Sequence, residues 1–499
     1  MSDTCGFNLV DDAWIPIGGS EVSLSDAFTE AHELPGWPDG EPGFAAVLLR
    51  LMAVIAYRVT GLDDETLDRV QFAERQKQLL DEGRMSPDRV RSYLTQHHDR
   101  FWLLNPPAGL PPFAQDPSLA AVDPHPFSKA VPSWASGNNP ALGPHADCDA
   151  SPAAVAARQL LIQRSYAAGG LPHKHPHPLH GKDGQFVAGP LRNTMSLHPV
   201  GRTLATTLAG HLVPLRSDGT RFGKPFWETP PPANPVAAHT GVPGLLDQIA
   251  GRHDKTMLLE SGTGNAPRFV IRVGPGVARD VLHRDPYLLV DSEFAPRKPR
   301  TGRAFWREAE SLLAQDDQGK QELSAYILDW AREGPAAAIY DPFSWTAVSH
   351  NCNKDKNLAW VASTSPDLLN LFEPVAALRV RGFLTLASEA EGKMIKQIAK
   401  VRHAADLMPS KAKSKQAVCA PARAEFWRRA ERDFWDTAAD RLPVEVYTDR
   451  LRSHALAGYD TATATLLHDR RTHRFVVESR RWMATWRRRA SDATDAPEE

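Results

Sequence analysis

Four histidines in the segment Pro172–His180 are the strongest candidates for metal chemistry in this 499-residue sequence. His173, His175 and His177 alternate with other residues, and an extended chain would hold their imidazoles on one side, where they could bind zinc. The prolines between them are typical of a loop. A loop that contacts phosphate through Lys174 and partly charged histidines is therefore an equally good interpretation of this segment.

The rest of the sequence offers little catalytic chemistry. No dinucleotide-binding, Walker-type, zinc-protease or nucleophile-elbow motif occurs in a suitable context. The glycine pair in Gly262–Gly264 lies in a predicted hairpin and is only a weak candidate for a nucleotide site. Asp11 and Asp12 could be metal ligands, but an aspartate pair shortly before Trp14 favours a turn.

Two loops of small residues flank one predicted helix. The first, Ser136–Gly143, carries Asn138 and Asn139, whose amides can bond to bases or phosphates and can equally form a local Asx turn. The second, Ala167–Gly170, has no long side chain. Such a segment can enter a narrow space such as a DNA minor groove, although by itself it is also an ordinary helix end.

The net charge of −2 does not by itself indicate a nucleic-acid partner, but the basic residues are unevenly spread. Between Gly392 and Lys415 the single acid is Asp406, and between Arg470 and Arg489 it is Glu478. The basic residues of the first segment are Lys393, Lys396, Lys400, Arg402, Lys411, Lys413 and Lys415. Such segments fit local contact with a polyanion, and a solvated helix face or a subunit contact remains the alternative.

Length and composition indicate a soluble globular protein of two or three domains. Hydrophobic residues make up 42% and charged residues 24% of the chain, which is ordinary for that class. The four cysteines stand far apart without a CxxC pair, which indicates a reducing compartment. The N-terminus has no signal-peptide pattern, and no apolar run looks long enough to span a membrane. We therefore expect a cytoplasmic protein.

The elements that must position these loops form a mixed pattern. Gly43–Val59 reads as an apolar core helix, Ala153–Tyr166 as a helix, Lys255–Leu259 with Arg268–Val273 as a hairpin, and Leu378–Leu384 as a strand. Four helices are predicted at 389–408, 421–441, 443–469 and 472–490, with Pro409, Pro421 and Pro443 in the breaks.

The predicted fold class is therefore α+β. A large, irregular mixed N-terminal domain spans residues 1–388. A C-terminal four-helix bundle spans residues 389–499 and ends in a disordered tail from Ser491. The 41 prolines favour a loop-rich protein over a regular barrel or a doubly wound sheet.

Both loops, together with the opening motif of the chain, resemble the CasA family, which is the large subunit of the type I-E CRISPR Cascade surveillance complex. The matching segments are Phe7–Ile17, Val22–Phe28, Phe101–Gln115, Trp134–Asn139, Tyr166–Gly170 and Leu378–Gly382, with weaker support from Asp285–Tyr287 and Gly302–Trp306. They occur in the expected order over most of the chain. The combination is specific, although no single segment would suffice.

The resemblance implies a non-catalytic DNA-recognition subunit that uses no cofactor or metal. Such a subunit recognises a short protospacer-adjacent motif in duplex DNA and helps strand opening and R-loop formation with the guide RNA. It then supports recruitment of a separate helicase–nuclease in antiviral defence. The implied partners are the guide CRISPR RNA, double-stranded target DNA, the other Cascade subunits and that helicase–nuclease, with no membrane.

The resemblance also implies roles for particular residues. The loop that contacts the guide RNA end and neighbouring subunits corresponds to Gly137, Asn138, Asn139, Ala141 and Leu142. The loop that enters the minor groove at the motif corresponds to Ala167, Ala168, Gly169 and Gly170. Asn265 stands in the loop of a further minor-groove contact, where some members have a lysine that is absent here.

The strand-separating wedge of the family aligns with Ser388, Glu389 and Ala390, where members often have glutamine at the tip. A carboxylate near phosphate is less favourable than an amide, so the wedge either acts sterically or is displaced by a residue. From the residues themselves, Lys393, Lys396 and Lys400 fall at helical spacing on one face and suit contact with DNA phosphates.

Two other functions remain open. The first is a metal-dependent hydrolase that uses the histidines of His173–His180. The second is a purely structural scaffold subunit whose basic helices contact other subunits.

Overall fold

The computed structural model of the chain describes residues 6–127, 153–167, 188–230, 244–251, 255–261, 269–276, 284–299, 304–313, 322–340, 343–353, 356–365, 368–372, 374–404, 406–407, 412–438 and 442–486. The α-helices are α1 Leu24–Thr29, α2 Pro42–Thr60, α3 Arg69–Glu82, α4 Pro87–His97, α5 Ala153–Tyr166, α6 Leu204–His211, α7 Leu245–Ile249, α8 Ala309–Leu313, α9 Tyr326–Arg332, α10 Gly334–Tyr340, α11 Pro374–Ala404, α12 Ala412–Ala438, α13 Val444–Thr463 and α14 His473–Thr485. The strands are β1 Phe7–Asn8, β2 Ile15–Ile17, β3 Ser20–Val22, β4 Trp102–Leu104, β5 His125–Pro126, β6 Met195–Val200, β7 Lys255–Ser261, β8 Phe269–Gly276, β9 Val290–Asp291, β10 Leu323–Ser324, β11 Ser344–Asn353 and β12 Lys356–Ser365.

The chain divides into two compact units. Unit 1 comprises residues 1–305 and 315–364, and unit 2 comprises residues 306–314 and 365–499. The division falls earlier in the chain than the predicted boundary at residue 388, because α11 begins at Pro374. The predicted α+β class is confirmed, since small sheets occur with helices in unit 1 and long helices dominate unit 2.

The sheets of unit 1 are small. The three-stranded sheets have the orders β12-β11-β6 and β5-β8-β7, and the remaining described strands form two-stranded pairs. The predicted hairpin is confirmed, because β7 pairs antiparallel with β8, with Leu259 opposite Ile271. Strand β11 pairs antiparallel with β6 over six positions, from Ser344 opposite Val200 to Ser349 opposite Met195.

Helix α2 forms the core of unit 1. Pro42 occupies its first turn, where a missing backbone N–H costs nothing, and Gly61 ends it with a left-handed φ of 76°. The prediction that no apolar run could span a membrane is wrong by length and composition, since α2 meets both criteria. However, 89% of its apolar window is buried inside the protein, and this is typical of the core helix of a folded domain.

A buried ion pair ties α2 to a distant part of unit 1. Arg50, which is 4% exposed, donates from Nη1 to Oδ1 of Asp285 at 2.9 Å and from Nη2 to Oδ2. Its guanidinium lies over the ring of Tyr287, 5.3 Å from the centroid. The backbone N–H of Tyr287 donates to the same Asp285 carboxylate at 3.0 Å. The paired geometry compensates the cost of burying both charges.

Two fully buried histidines lie beside this pair. His198 Nδ1 lies 3.0 Å from His211 Nε2, and His211 Nδ1 lies 2.7 Å from the carbonyl oxygen of Thr207. Ser196 Oγ lies 2.9 Å from His198 Nε2. The chain is satisfied when both imidazoles are neutral: Ser196 donates to His198, His198 to His211, and His211 to Thr207. Burial is the main cause that lowers the pKa of both groups, that of His211 to about 4.

Unit 2 contains α11–α14, and this agrees with the predicted helical bundle. The predicted strand Leu378–Leu384 is wrong, because these residues lie in α11. Val380, Phe383, Leu384 and Ala387 are all buried, and their spacing of three and four residues is that of a helix face. Arg379 and Arg381 lie on either side of Val380 in the sequence, so this short window alternates between apolar and charged residues as a strand would.

The predicted break at Pro421 is also wrong. Helix α12 continues from Ala412 to Ala438 with Pro421 inside it. Pro421 is exposed, whereas Ala422, Phe426 and Ala430 are buried. A proline inside a helix costs about 3 kcal/mol, which the burial of this long apolar face can offset. Pro443 directly precedes α13, as predicted, and Pro409 and the tail from Ser491 lie outside the described residues.

The buried histidine pair predicts that the protein is less stable in weak acid. An unfolded histidine binds a proton below about pH 6.5, whereas His211 binds one only near pH 4. Stability therefore falls as pH falls from about 6.5 to 4, and His211 contributes about 2 kcal/mol of loss at pH 5. We expect urea unfolding of His211→Gln to show a smaller loss between pH 7 and pH 5 than the unchanged chain. Equal losses in both proteins would contradict this account.

Candidate nucleic-acid interface

The predicted minor-groove loop begins at the end of α5, and the structure describes its root. Helix α5 ends at Tyr166, as predicted. The backbone N–H of Gly189 donates to the Ala167 carbonyl at 2.9 Å, and that of Leu191 donates to the Ser165 carbonyl at 2.9 Å. We call Ser165–Ala167 together with Gly189–Arg192 the neck. It holds both ends of the intervening segment together.

Ala167 belongs to the neck and does not lie on the surface. It is 1% exposed, and its own N–H donates to the Gln163 carbonyl at 3.0 Å. The side chain of Ala167 is therefore inaccessible to DNA, because the backbone bonds of the neck bury it, and its predicted role stays a prediction. Ala168, Gly169 and Gly170 lie outside the described residues.

Gly189 is required by the closeness of the two chains in the neck. A Cβ at this position would overlap the carbonyl group of Ser165 and the backbone nitrogen of Tyr166. Arg192 adds a further bond from Nη1 to the Tyr166 carbonyl at 3.2 Å. Neither residue was predicted from the sequence, where the only signal was a glycine before Pro190, which is common in turns.

Arg164 holds the last turn of α5 in place through two further hydrogen bonds. It is 7% exposed, and its guanidinium donates to the carbonyls of Ala114 and Gly251. Both of these residues have positive φ, 55° and 85° respectively, so their carbonyls belong to tight turns. Arg164, which was not predicted to have a role, therefore joins α5 to the turns at Ala114 and Gly251.

Aromatic packing connects the neck to strands β11 and β12. The Tyr166 ring lies edge-on to Trp360 of β12 at 4.3 Å and to His350 of β11 at 5.1 Å between centroids. His350 and Trp360 stack on each other at 4.3 Å. Aromatic pairs of this kind contribute about 0.5–1.5 kcal/mol each beyond their burial. The neck and the two strands are thus packed as one piece within unit 1.

Several predicted site residues lie outside the described part of the chain. They are the first loop with Gly137, Asn138, Asn139, Ala141 and Leu142, the hairpin turn with Asn265, and the histidines of His173–His180. Their assigned roles therefore stay predictions.

The predicted wedge lies in the middle of α11 and not at the tip of a loop. Ser388 and Glu389 are exposed, but Ala390 is fully buried. Ala390 continues the apolar face that includes Ala387 and Met394, so it packs into unit 2 and is not accessible to a DNA strand. The helix predicted from residue 389 begins earlier, at Pro374, and the wedge role of Ser388 and Glu389 stays a prediction.

The three predicted phosphate-binding lysines lie on α11 with the helical spacing that the sequence indicated. Lys393 is half-buried, and its Nζ lies 4.0 Å from the ring centroid of Trp486. Lys396 and Lys400 are exposed, and neither has a salt bridge within the described residues. Their charges are therefore available to a ligand.

Three arginines of the second basic segment are paired with acids within the protein. Arg474 pairs with Glu478 at 2.7 Å, and Arg480 pairs with Asp460 at 2.8 Å. Arg471 pairs with Asp469 at 3.0 Å. For these arginines the alternative of a solvated helix face is supported. Arg487–Arg489 lie outside the described residues.

The aspartate pair near the N-terminus forms a turn, as favoured by the sequence. The N–H groups of Asp11 and Asp12 both donate to the Asn8 carbonyl, at 3.2 and 2.9 Å. The Asp12 carboxylate accepts the Asn8 N–H at 2.6 Å, and that of Asp11 bonds His98 Nε2 at 2.7 Å. Among the described residues, no group of three or more histidine, cysteine, aspartate or glutamate side chains could hold a metal ion.

Comparison with known proteins identifies relatives of this chain. The family model of CRISPR-associated protein Cse1 matches residues 8–456. The curated CRISPR-associated protein CasA/Cse1 of Thermus thermophilus is 31% identical over 323 residues, which cover 62% of this chain. The matched stretch spans about 60% of the length of that relative.

Solved structures share the fold along nearly the whole chain. The structure of Thermus thermophilus CasA (Cse1) matches with a TM-score of 0.71 at 23% identity, covering 96% of this chain and 98% of that one. A chain of a CRISPR RNA-guided surveillance complex matches with a TM-score of 0.68 at 24% identity, covering 96% and 100%. Because the family model spans most of the sequence, from Asn8 into α13, this chain belongs to the CRISPR-associated Cse1 (CasA) family.

Proposed function

We propose that this chain is the large subunit of a type I-E Cascade complex and recognises the protospacer-adjacent motif in duplex DNA. It helps to open the strands for pairing with the guide RNA, supports recruitment of the helicase–nuclease, and carries out no catalysis itself. The observation that carries the proposal is the neck, which fixes the position where the small residues Ala168–Gly170 leave α5 in a member of the Cse1 family.

Small residues that directly follow a firmly held helix end suit recognition in the minor groove. That groove is narrow and its pattern of donors and acceptors is degenerate, so width and backbone contacts matter more than long side chains. Ala168, Gly169 and Gly170 supply at most a methyl group each. Ala167 anchors this segment, because its side chain is buried in the neck.

The wedge is better assigned to β11 and β12 than to α11. An element that separates strands has to protrude between them, and Ser388 and Glu389 lie on the side of a continuous helix. Strands β11 and β12 are ten residues each and are neighbours in one sheet. Trp360 packs against Tyr166 of the neck, so motif recognition and strand opening would act from one packed piece.

The remaining assignments follow from the way in which RNA and protein share the recognition of DNA. In RNA-guided recognition, base pairing reads the sequence, while protein reads a short motif and stabilises the opened strands. We assign Gly137–Leu142 to the guide RNA and neighbouring subunits, Asn265 to a second minor-groove contact, and Lys393, Lys396 and Lys400 to phosphates. A cytoplasmic location fits these partners. One relative of the same fold is a chain of a CRISPR RNA-guided surveillance complex, and this supports the proposed RNA and subunit partners.

The test is motif-dependent binding by a reconstituted complex. We expect the complex with this chain to bind a guide-matched duplex at least tenfold more tightly than the same duplex with altered motif bases. Gly169→Leu should abolish that difference, because a branched side chain no longer fits the groove. Gly382→Leu is the matched control, since Gly382 lies on α11 with open space around it.

Binding that ignores the motif bases in the complex with the unchanged chain would support a structural scaffold instead. A loss of binding in both leucine variants would show damage to the fold and not to the loop. Gel shifts on the two duplexes separate these outcomes.

Lys393, Lys396 and Lys400 of α11 should determine part of the salt dependence of target DNA binding. Replacing Lys393, Lys396 and Lys400 by glutamine removes up to three phosphate contacts, and each contributes about 0.7–0.9 to the slope of log affinity against log salt. We expect weaker target binding with a slope reduced by about 2–3. A triple replacement of the exposed residues Lys77, Arg89 and Arg91 by glutamine controls for net charge. An unchanged slope in the lysine variant would contradict the assignment.

A further inference from the structure

Trp482 on α14 exposes a large apolar surface without an evident structural reason. Its side chain is 42% exposed, whereas the other described tryptophans are buried or half-buried. No aromatic or cation contact involves its indole within the described residues. Val476, Ser479 and Met483 already anchor α14 to unit 2 by their burial. Trp482 is thus not needed to hold the helix in place.

The contacts on either side of Trp482 place it opposite the lysines of α11. Lys393 lies over the ring of Trp486, and the charge of Lys400 acts on Glu478. Because Trp482 is four residues from both Glu478 and Trp486, it lies on the same side of α14. The later residue of α14 meets the earlier lysine of α11, so the two helices run antiparallel. Trp482, midway between Glu478 and Trp486, therefore lies across from Lys396, midway between Lys393 and Lys400.

The charge around the exposed indole is positive. Lys396 and Lys400 are exposed, and Glu478 on α14 is paired with Arg474 at 2.7 Å. Glu389, one helical turn before Lys393, is the exposed acid at the end of the row. A flat aromatic surface bordered by unneutralised ammonium groups is the combination that binds single-stranded nucleic acid, in which bases stack on the ring and phosphates meet the cations.

We propose that Trp482 and the lysine row Lys393–Lys400 form a stacking platform for single-stranded DNA. The platform deepens the proposed function, on which it rests for its ligand, because strand opening supplies the unpaired bases. A duplex is a poor occupant, since its base faces are covered by their neighbours. A protein partner is also disfavoured by the lysine row of α11, because lysines are depleted at protein interfaces.

The test measures binding of the full-length chain to a fluorescent dT20 oligonucleotide by anisotropy. Base stacking on an aromatic ring contributes about 1–3 kcal/mol, so Trp482→Ala should weaken binding roughly 5- to 150-fold. Trp482→Phe keeps an aromatic face and should retain most of the affinity. Phe294→Ala removes another exposed aromatic ring, 39% exposed in unit 1, and should change nothing.

The proposal is overturned if the unchanged chain does not bind dT20, or if Trp482→Ala binds it normally. It also fails if Trp482→Ala weakens binding to a 20-base-pair duplex as much as to dT20. Loss of co-purification with other Cascade subunits, with dT20 binding intact, would identify the surface as a protein contact. Motif discrimination by the reconstituted complex is a separate measurement, so failure of this platform and failure of the proposed function are distinguishable.

Discussion

The ion pair between Arg50 and Asp285 joins two parts of unit 1 that are 235 residues apart in the chain. Both side chains are almost fully buried, 5% and 7% exposed. Removal of one partner from such a pair typically costs 3–5 kcal/mol, because the other charge is left buried alone. Asp285 directly precedes Pro286 and Tyr287, whose hydroxyl donates to the His211 carbonyl at 2.9 Å. Helices α2 and α6 and the segment around Tyr287 are therefore held in one arrangement.

The neck depends on that arrangement. Helix α2 packs against α5, and Arg50 lines a small cavity with Ser165, Pro190 and Leu191. Above it, the bonds of Arg164 and the close approach at Gly189 leave the end of α5 little freedom to move. The small residues Ala168–Gly170 therefore follow a helix end that is held firmly in place.

The sequence predicted those features that local patterns determine. The core helix α2, helix α5 and the β7–β8 hairpin were predicted from the spacing of apolar residues and from turn residues that are close together in the sequence. The ion pair of Arg50 and the neck could not be predicted, because they join residues far apart in sequence. The errors at Leu378–Leu384 and Pro421 share one cause: burial of a long helix face outweighed a local signal. The helix predicted from residue 389 begins at Pro374 for the same reason, so Ser388–Ala390 lie inside α11 and not at its start.

The central claim is that the small residues Ala168–Gly170, which follow the neck, contact the DNA while the chain itself does no chemistry. The most direct measurement places a short photo-reactive diazirine side chain at Ala168 in the reconstituted complex bound to a guide-matched duplex. The account predicts crosslinks to nucleotides at the recognised motif, and none from the same group at the exposed residue Arg84. Crosslinks from position 168 to this chain alone would contradict it.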